Sequence, residues 1–521
     1  MRIGIASIYS FRPHVEHLYY LSTLLERAGH QISGLACQAS VSACYPMLLR
    51  DRPAVRECPL CVLGGLHSFA VSDINHIKRK YANFQISDER AESLAMSSSA
   101  TLLRTETAAE LHGRDAYELR KRLMPSVRRA YASTREWIES RSLDAILLFN
   151  GRMDLTAAVA AAAEDAGVRY ISVERTWFGH GVQLLPDANC LSLQDMDRFS
   201  QVFRDQYLAG TQASLAAGHM ARRFMRSNVL EWRVYNRRAA GARWPGKGSG
   251  QRVLVLPSSK NELQGHPDWT EGWGDNTKAL DELIQYLGLN PSNTVVRCHP
   301  NWAEKIGSVS GTRSSEHYRL WAEKNGVVIV PPESNVDTYD LVQQADIVVL
   351  NGGSTALEAA LLAKPVICLG PARYREAGFS LHINGPNEWN KLNELGSIPA
   401  EEAMVRVLRF VYAQMCRIPQ YVNHVRADTP TTFRYYEGAN PERLAQLLTG
   451  GELQPDDATC AKSDAEEREV VERIKRAEWS RLSSFDAWSP PGAQLTTIRR
   501  RMGLRWLDGY RARKPRGDLG E

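Results

Sequence analysis

The stretch VVLNGGSTALEAALLAKPVICLG, residues 348–370, constrains the fold more than any other part of the 521-residue chain. It reads as a buried strand, a tight turn of small residues, a helix, a Lys-Pro break and a second strand. Strands joined through a helix lie parallel, because a hairpin can close only an antiparallel pair. Short apolar runs alternating with helical periods continue through most of the chain, which predicts an α/β fold with parallel sheets.

The alternation comes in two series. RIGIASI (2–8), QISGLAC (31–37), DAILLFN (144–150) and VRYISVE (168–174) are the strands of the first. RVLVLPSS (252–259), NTVVRCHPN (293–301), VVIVPP (327–332), DIVVLN (346–351) and PVICLG (365–370) are those of the second. Between them RRAAGARWPGKGSGQ (237–251) is rich in Gly and basic residues and reads as a linker. Two Rossmann-like domains facing a central cleft are expected, over residues 1–240 and 250–450. A polar, then helical and basic extension covers 451–521. Ligands of such folds gather at the carboxyl ends of the strands, here facing the cleft.

Composition narrows the class. At 43% hydrophobic the chain can bury a large core, and a net charge of +5 on this length gives no reason to expect nucleic acid. No apolar run reaches the roughly 20 residues of a membrane span. The N-terminus enters a strand at once, so a cytoplasmic protein is expected, with its nine cysteines serving as thiols or metal ligands rather than disulfides.

Three strand-end loops of the second series carry groups suited to phosphate or hydroxyl. Asn351, Gly352, Gly353, Ser354 and Thr355 form a turn that lets backbone N–H groups approach an anion, with Glu358 one turn further on. RCHPNW (297–302) offers Asn301 and His299, whose ring can donate to a phosphoryl oxygen or take part in proton transfer as a catalytic group; PSSKNE (257–262) offers Ser258, Ser259 and Glu262. Each loop alone reads equally well as a helix cap or a structural hydrogen-bonder. Three on successive strand ends favour a site.

The order VLVLPSS…E, VVRCHPN, DLVQQADIVVLNGGSTALEAALLAKPVI resembles the C-terminal half of bacterial capsule and surface-polysaccharide glycosyltransferases, capsular Kdo transferases among them. LLFNGRMD (147–154) and YISVERTWFG (170–179) resemble the N-terminal half. The resemblance implies a GT-B fold, a CMP-, UDP- or GDP-linked sugar donor held by the C-terminal domain, and a glycan or lipid-linked acceptor on the N-terminal side. It places His299 and Asn301 near the donor phosphates, Ser354 and Thr355 in the phosphate turn, and Glu358 on the donor sugar or ribose. Ser258, Ser259 and Glu262 would lie at the cleft. A CDP-glycerol- or ribitol-type phosphotransferase, a nucleotide-sugar 2-epimerase and a non-enzymatic scaffold or glycan-binding partner are the rival readings.

Transfer needs a base for the acceptor hydroxyl and a stabilised leaving phosphate. Glu174 and Asp154 are the preferred bases because both follow buried strands; His14, Glu16 and His17 follow the first strand. No catalytic metal is expected, and the lone DMD (195–197) is read as solvent-facing. Cys37, Cys44, Cys58 and Cys61 match the ligand count of a structural zinc site, with small buried thiols as the alternative. The tail, about 496–516, interleaves Arg with Trp, Leu, Met and Tyr. It reads either as a peripheral contact with the inner membrane or as an end docked on the body.

Overall fold

Two six-stranded sheets organise the molecule. The computed structural model describes residues 1–81, 83–231, 239–306, 309–486, 488–492, 494–496, 498 and 500–507. The first sheet contains β1 (Arg2–Ala6), β2 (Gln31–Ala36), β3 (Ile74–His76), β4 (Ala145–Phe149), β5 (Arg169–Arg175) and β6 (Val182–Pro186), in the order β3-β2-β1-β4-β5-β6. Only β6 runs antiparallel to its neighbour. The second contains β7 (Val253–Leu256), β8 (Thr294–Arg297), β11 (Val328–Val330), β12 (Ile347–Leu350), β13 (Val366–Leu369) and β14 (Leu381–Ile383). A small hairpin, β9 (Lys305–Ile306) with β10 (Val309–Ser310), separates β8 from β11. The order of the second six-stranded sheet is β11-β8-β7-β12-β13-β14, all parallel. Both sheets follow the doubly wound order, with the chain reversing direction beside the first strand.

Central strands of such sheets are covered on both faces and therefore read as unbroken apolar runs. All five residues of β4 and all four of β7, β12 and β13 are buried. Each fully buried Ile or Leu there contributes about 1.5–3 kcal/mol.

The apolar cores do not divide at 240 and 450. Ile418, Tyr421, Val425, Tyr435, Leu444 and Leu447 belong to the N-terminal core, whereas Leu208, Ala213, Ala216, Ala217 and Met220 belong to a C-terminal one. Up to residue 450 the chain thus crosses between domains twice, the second time through the π-helical turn Ala413–Arg417 that ends the helix Ala400–Tyr412. Helical periodicity shows that a face is buried, not which sheet it covers. The expected linker is laid along the second domain: the Trp244 backbone N–H donates to Gln344 (2.9 Å), and its indole N–H to Asn293 (2.9 Å). Residues 237 and 238 of that segment lie outside the described residues.

The extension is helical where expected, over Ala465–Lys475 and Trp479–Ser483, and Val470, Val471, Ile474 and Leu482 enter the C-terminal core. Fully buried Glu467 pairs with Arg409 there. The tail docks on the first domain. β17 (Leu495–Thr496) pairs with β16 (Thr432–Tyr436), itself beside β15 (Val425–Thr429). Arg500 is buried and donates to the Leu63 carbonyl (2.9 Å), while Arg501 donates to the carbonyls of Phe69 and Val71 (2.8 Å each). Residues 497, 499 and 508–516 of the expected basic segment are outside the described set. No helix among the described residues is long and apolar enough to cross a membrane.

Candidate active site

The three loops of the second domain are tied to one another. The Ser258 backbone N–H donates to Asn351 Oδ1 (2.6 Å), and Asn351 Nδ2 donates to the Ser258 carbonyl (3.1 Å), joining the β7 and β12 ends. The Trp302 indole N–H donates to Ser259 Oγ (2.6 Å), joining the β8 and β7 ends. His299 Nδ1 accepts from the Asn301 N–H (3.2 Å), which fixes the turn out of β8. Gly353 is required by proximity: a Cβ there would lie 2.8 Å from Ser258 Oγ. Gly352 has φ +106°, and Trp269 covers it. Ser354 Oγ accepts from Arg223 (2.8 Å) rather than capping the helix, and that helix, Thr355–Leu361, has only seven residues. So short a dipole is a weak anion site by itself, which puts the weight on nearby cations.

Glu358 does not face the cleft. Its side chain is completely buried, 3.1 Å from Arg223 Nη1, and accepts from the Tyr339 hydroxyl (2.8 Å). Arg223 also lies 3.1 Å from Glu231, which His219 approaches to 3.4 Å. Burial pushes the Glu358 carboxyl up, partly offset by Arg223, while Arg223 and His219 hold Glu231 down at about 2 against its burial. The expected sugar or ribose contact is therefore a core ion pair beneath the turn. The signal for this was available only in part, since Arg223 is 135 residues away in sequence.

On the first domain, Glu174 stands at the end of β5. Its Oε2 accepts from Asn150 Nδ2 (2.8 Å), Oε1 accepts from the Arg175 N–H (2.9 Å), and His14 Nε2 lies 3.3 Å away. Its side chain keeps 19% of its surface exposed. Burial lowers the His14 pKa, so the ring beside Glu174 is neutral near pH 7. Asp154 is a different case. Its carboxylate is wholly enclosed, accepting from the Tyr9 hydroxyl, the Tyr45 N–H (3.2 Å) and Ser98 Oγ (3.3 Å), and burial pushes it up to about 6. It anchors the start of the helix Asp154–Asp165 and is out of reach of an acceptor. His17 is fully buried and Glu16 pairs with Arg12. The DMD acids are engaged rather than free in solvent: Asp195 pairs with Arg198 and Asp197 with Arg375.

The two halves meet at their strand ends. Arg152, after β4, donates to the Glu262 carbonyl after β7 (3.0 Å), and to Ser97 (2.9 Å) and Thr101 (3.0 Å). Arg373, just after β13, was not legible as a site residue. It stands over the Trp177 ring (5.6 Å) within electrostatic reach of Glu174, Glu262 and Cys190, and burial lowers its pKa. Among the described residues its guanidinium makes no hydrogen bond or ion pair. Lys260 is paired with Glu271, and burial lowers it to about 8.

Glu106 closes another cross-domain contact, accepting from Ser314 Oγ (2.8 Å) near His317 and Lys260. Burial raises it to about 7 from an ordinary 4.5. An acid whose folded pKa lies above its unfolded one loses stability as pH rises through that window, here by a few kcal/mol. Glu106→Gln is expected to remove most of this slope, read as urea midpoints at about pH 5 and about pH 8. An unchanged slope would refute the assignment.

Cys37, Cys44, Cys58 and Cys61 do converge, on a cavity of about 20 Å³ shared with Ile8, Val41, Met47 and Leu155. Among the described residues, however, no group of three or more His, Cys, Asp or Glu is arranged to hold a metal. Burial raises the Cys44 and Cys58 thiols and takes Cys61 to about 11, as enclosed neutral thiols show. The set does not fit zinc.

Two doubly wound domains joined by crossing segments, with strand-end loops meeting between them, define the GT-B architecture. No family model and no curated protein matches the chain. Among solved structures it is similar to Thermosulfurimonas dismutans KpsC, beta Kdo 2,7 transferase, at 13% identity over 61% of this chain and 88% of that one, TM-score 0.33. It is also similar to UDP-GlcNAc 2-epimerase from Neisseria meningitidis (11%, 87% and 100%, TM-score 0.28) and to the Streptomyces sp. SF2575 glycosyltransferase SsfS6 (14%, 80% and 95%, TM-score 0.20). Likeness at these scores assigns no activity; the fold rests on the strand order above.

Proposed function

We propose that the protein is a glycosyltransferase of bacterial surface-polysaccharide assembly, moving a sugar from a nucleotide donor to a glycan or lipid-linked acceptor. The observation that carries this is Arg373: a cation without an ionic partner among the described residues, at a strand end where two domains meet, near a carboxylate from the opposite domain. An unpaired, partly desolvated guanidinium is costly unless an anion comes to it. In this reading Arg373 receives the donor phosphate, with Ser258, Ser259, His299, Asn301, Asn351, Gly353, Ser354 and Thr355 forming the hydrogen-bonded wall of the donor side. Glu174 takes the proton of the acceptor hydroxyl as its oxygen bonds to the anomeric carbon. The carbon–phosphate oxygen bond breaks, and the phosphate leaves with the electron pair toward Arg373. No metal is needed where a fixed cation supplies that neutralisation.

The epimerase reading drew on a carboxylate beside the Gly-rich turn, and Glu358 is occupied in the core. Melting-temperature shifts with CMP-, UDP-, GDP- and CDP-linked compounds test the proposal, because a ligand that binds only the folded chain raises Tm. One nucleotide series is expected to do so, and Arg373→Ala to weaken that binding by roughly 10–100-fold, the scale of a lost charge-assisted contact. Free nucleotide released only with acceptor marks transfer, whereas sugar isomerisation without acceptor marks the epimerase. No shift with any nucleotide would sink the proposal.

A further inference from the structure

The first domain carries an apolar face that no described residue covers. The helix Ala54–Gly64 turns Cys58, Cys61 and Val62 toward the body and leaves Val55, Pro59, Leu60 and Leu63 outward. Val55 is 81% exposed. The docked tail continues this face, since Arg500 is bonded to the Leu63 carbonyl, and it presents Met502 at 82% and Trp506 at 61% exposure. Five of the thirteen exposed large apolar side chains among the described residues therefore come from two segments in contact. Scattered exposed apolar residues need no explanation, but a grouped set does.

The exposed charge around this face is mainly positive. Arg52, Arg56, Arg501 and Arg505 are exposed on it. The nearby Glu57 is buried and already paired with Arg50 and Arg52, leaving Asp51 as the exposed acid of that segment. Apolar side chains, a Trp among them, ringed by arginines match the boundary of an anionic bilayer. A second copy of the chain is a poorer occupant, because a two-fold contact through this face would set arginine against arginine.

We infer that the helix Ala54–Gly64 and the tail Arg500–Leu507 form a docking surface for an anionic lipid bilayer. Its place relative to the cleft gives it a use. Cys61 lies 3.9 Å from the Ile8 carbonyl, and Arg50 stands over the Phe11 ring (5.5 Å), so the helix borders the loop between β1 and His14. A surface seated there on lipid belongs to the domain that bears His14 and Glu174, the side expected to meet a lipid-linked acceptor. The docking itself does not depend on the sugar-transfer reading, and the nucleotide melting shifts fail or succeed separately from it.

The test is co-sedimentation of the full chain with vesicles of equal phosphatidylglycerol and phosphatidylcholine, and with phosphatidylcholine alone. Binding to the anionic vesicles only, weakened by salt, is expected. Leu60→Asp with Trp506→Asp is expected to lower the bound fraction by about ten-fold or more at unchanged Tm. Arg52→Glu with Arg56→Glu, which leaves the apolar set intact, is expected to lower it in the same direction. Equal binding to neutral vesicles, unchanged binding by both double variants, or a dimer that the aspartates dissolve without any vesicle binding would each overturn the inference.

Discussion

Glu174→Gln is expected to lower kcat by roughly 10²–10⁴-fold, the usual contribution of a general base, while leaving the nucleotide-dependent rise in Tm intact. Asn150 Nδ2 and the Arg175 N–H donate to separate carboxylate oxygens at 2.8 and 2.9 Å, so glutamine keeps the acceptor for one of them and sets its NH2 against the other. The substitution therefore removes proton acceptance with little change of shape. The measurement is single-turnover transfer with the nucleotide sugar that the melting screen identifies, beside a thermal shift on the same variant. Asp154→Asn supplies the contrast. Asp154 is sealed among Tyr9, Tyr45 and Ser98, so its loss should appear in Tm far more than in kcat. A fall of less than about three-fold for Glu174→Gln, or an equal loss of nucleotide binding, would take the base role away from this residue.

What could be read from the residues, and what could not, divides along physical lines. Strand-length apolar runs such as AILLF and VLVL mark strands covered on both faces, so both parallel sheets were legible. The loops that end β7, β8 and β12 were legible too, because Gly, Ser, Asn and His at strand ends have few uses. Direction was not. Glu358 and Asp154 both follow buried strands, as Glu174 does, yet two point into the core and one toward the opposite domain. That outcome depends on distant partners, Arg223 in one case and Tyr9 in the other, which no local pattern announces. Arg373 was missed for a related reason: GPARYREAG has no motif, and its meaning lies in having no ionic partner among the described residues. The cysteines show the limit of counting, since spacing brought four thiols to one cavity without making them ligands.

Arg223→Ala should be the most destabilising single change near the site, costing about 3–5 kcal/mol, because it strands buried carboxylates without their cation. Arg223 reaches Glu231 and Glu358 at 3.1 Å each and donates to Ser354 (2.8 Å), so one side chain supports both the ion cluster and the turn above it. The pH dependence identifies the cause. Without Arg223 the burial that already raises the Glu358 carboxyl acts unopposed, and its folded pKa climbs further above the ordinary 4.5. Such a group takes up a proton on folding, so the deficit of the variant should shrink toward about pH 5 and grow toward about pH 8. Urea unfolding at the two pH values measures this directly. Glu358→Gln is the companion, keeping an oxygen for the Tyr339 hydroxyl while removing the charge. If Glu358 served a donor sugar instead, Glu358→Gln would raise KM with stability unchanged, and Arg223→Ala would show the same deficit at both pH values. A core pair predicts the reverse: stability moves in both variants, and in Glu358→Gln KM stays where it was, because the carboxylate never meets the substrate.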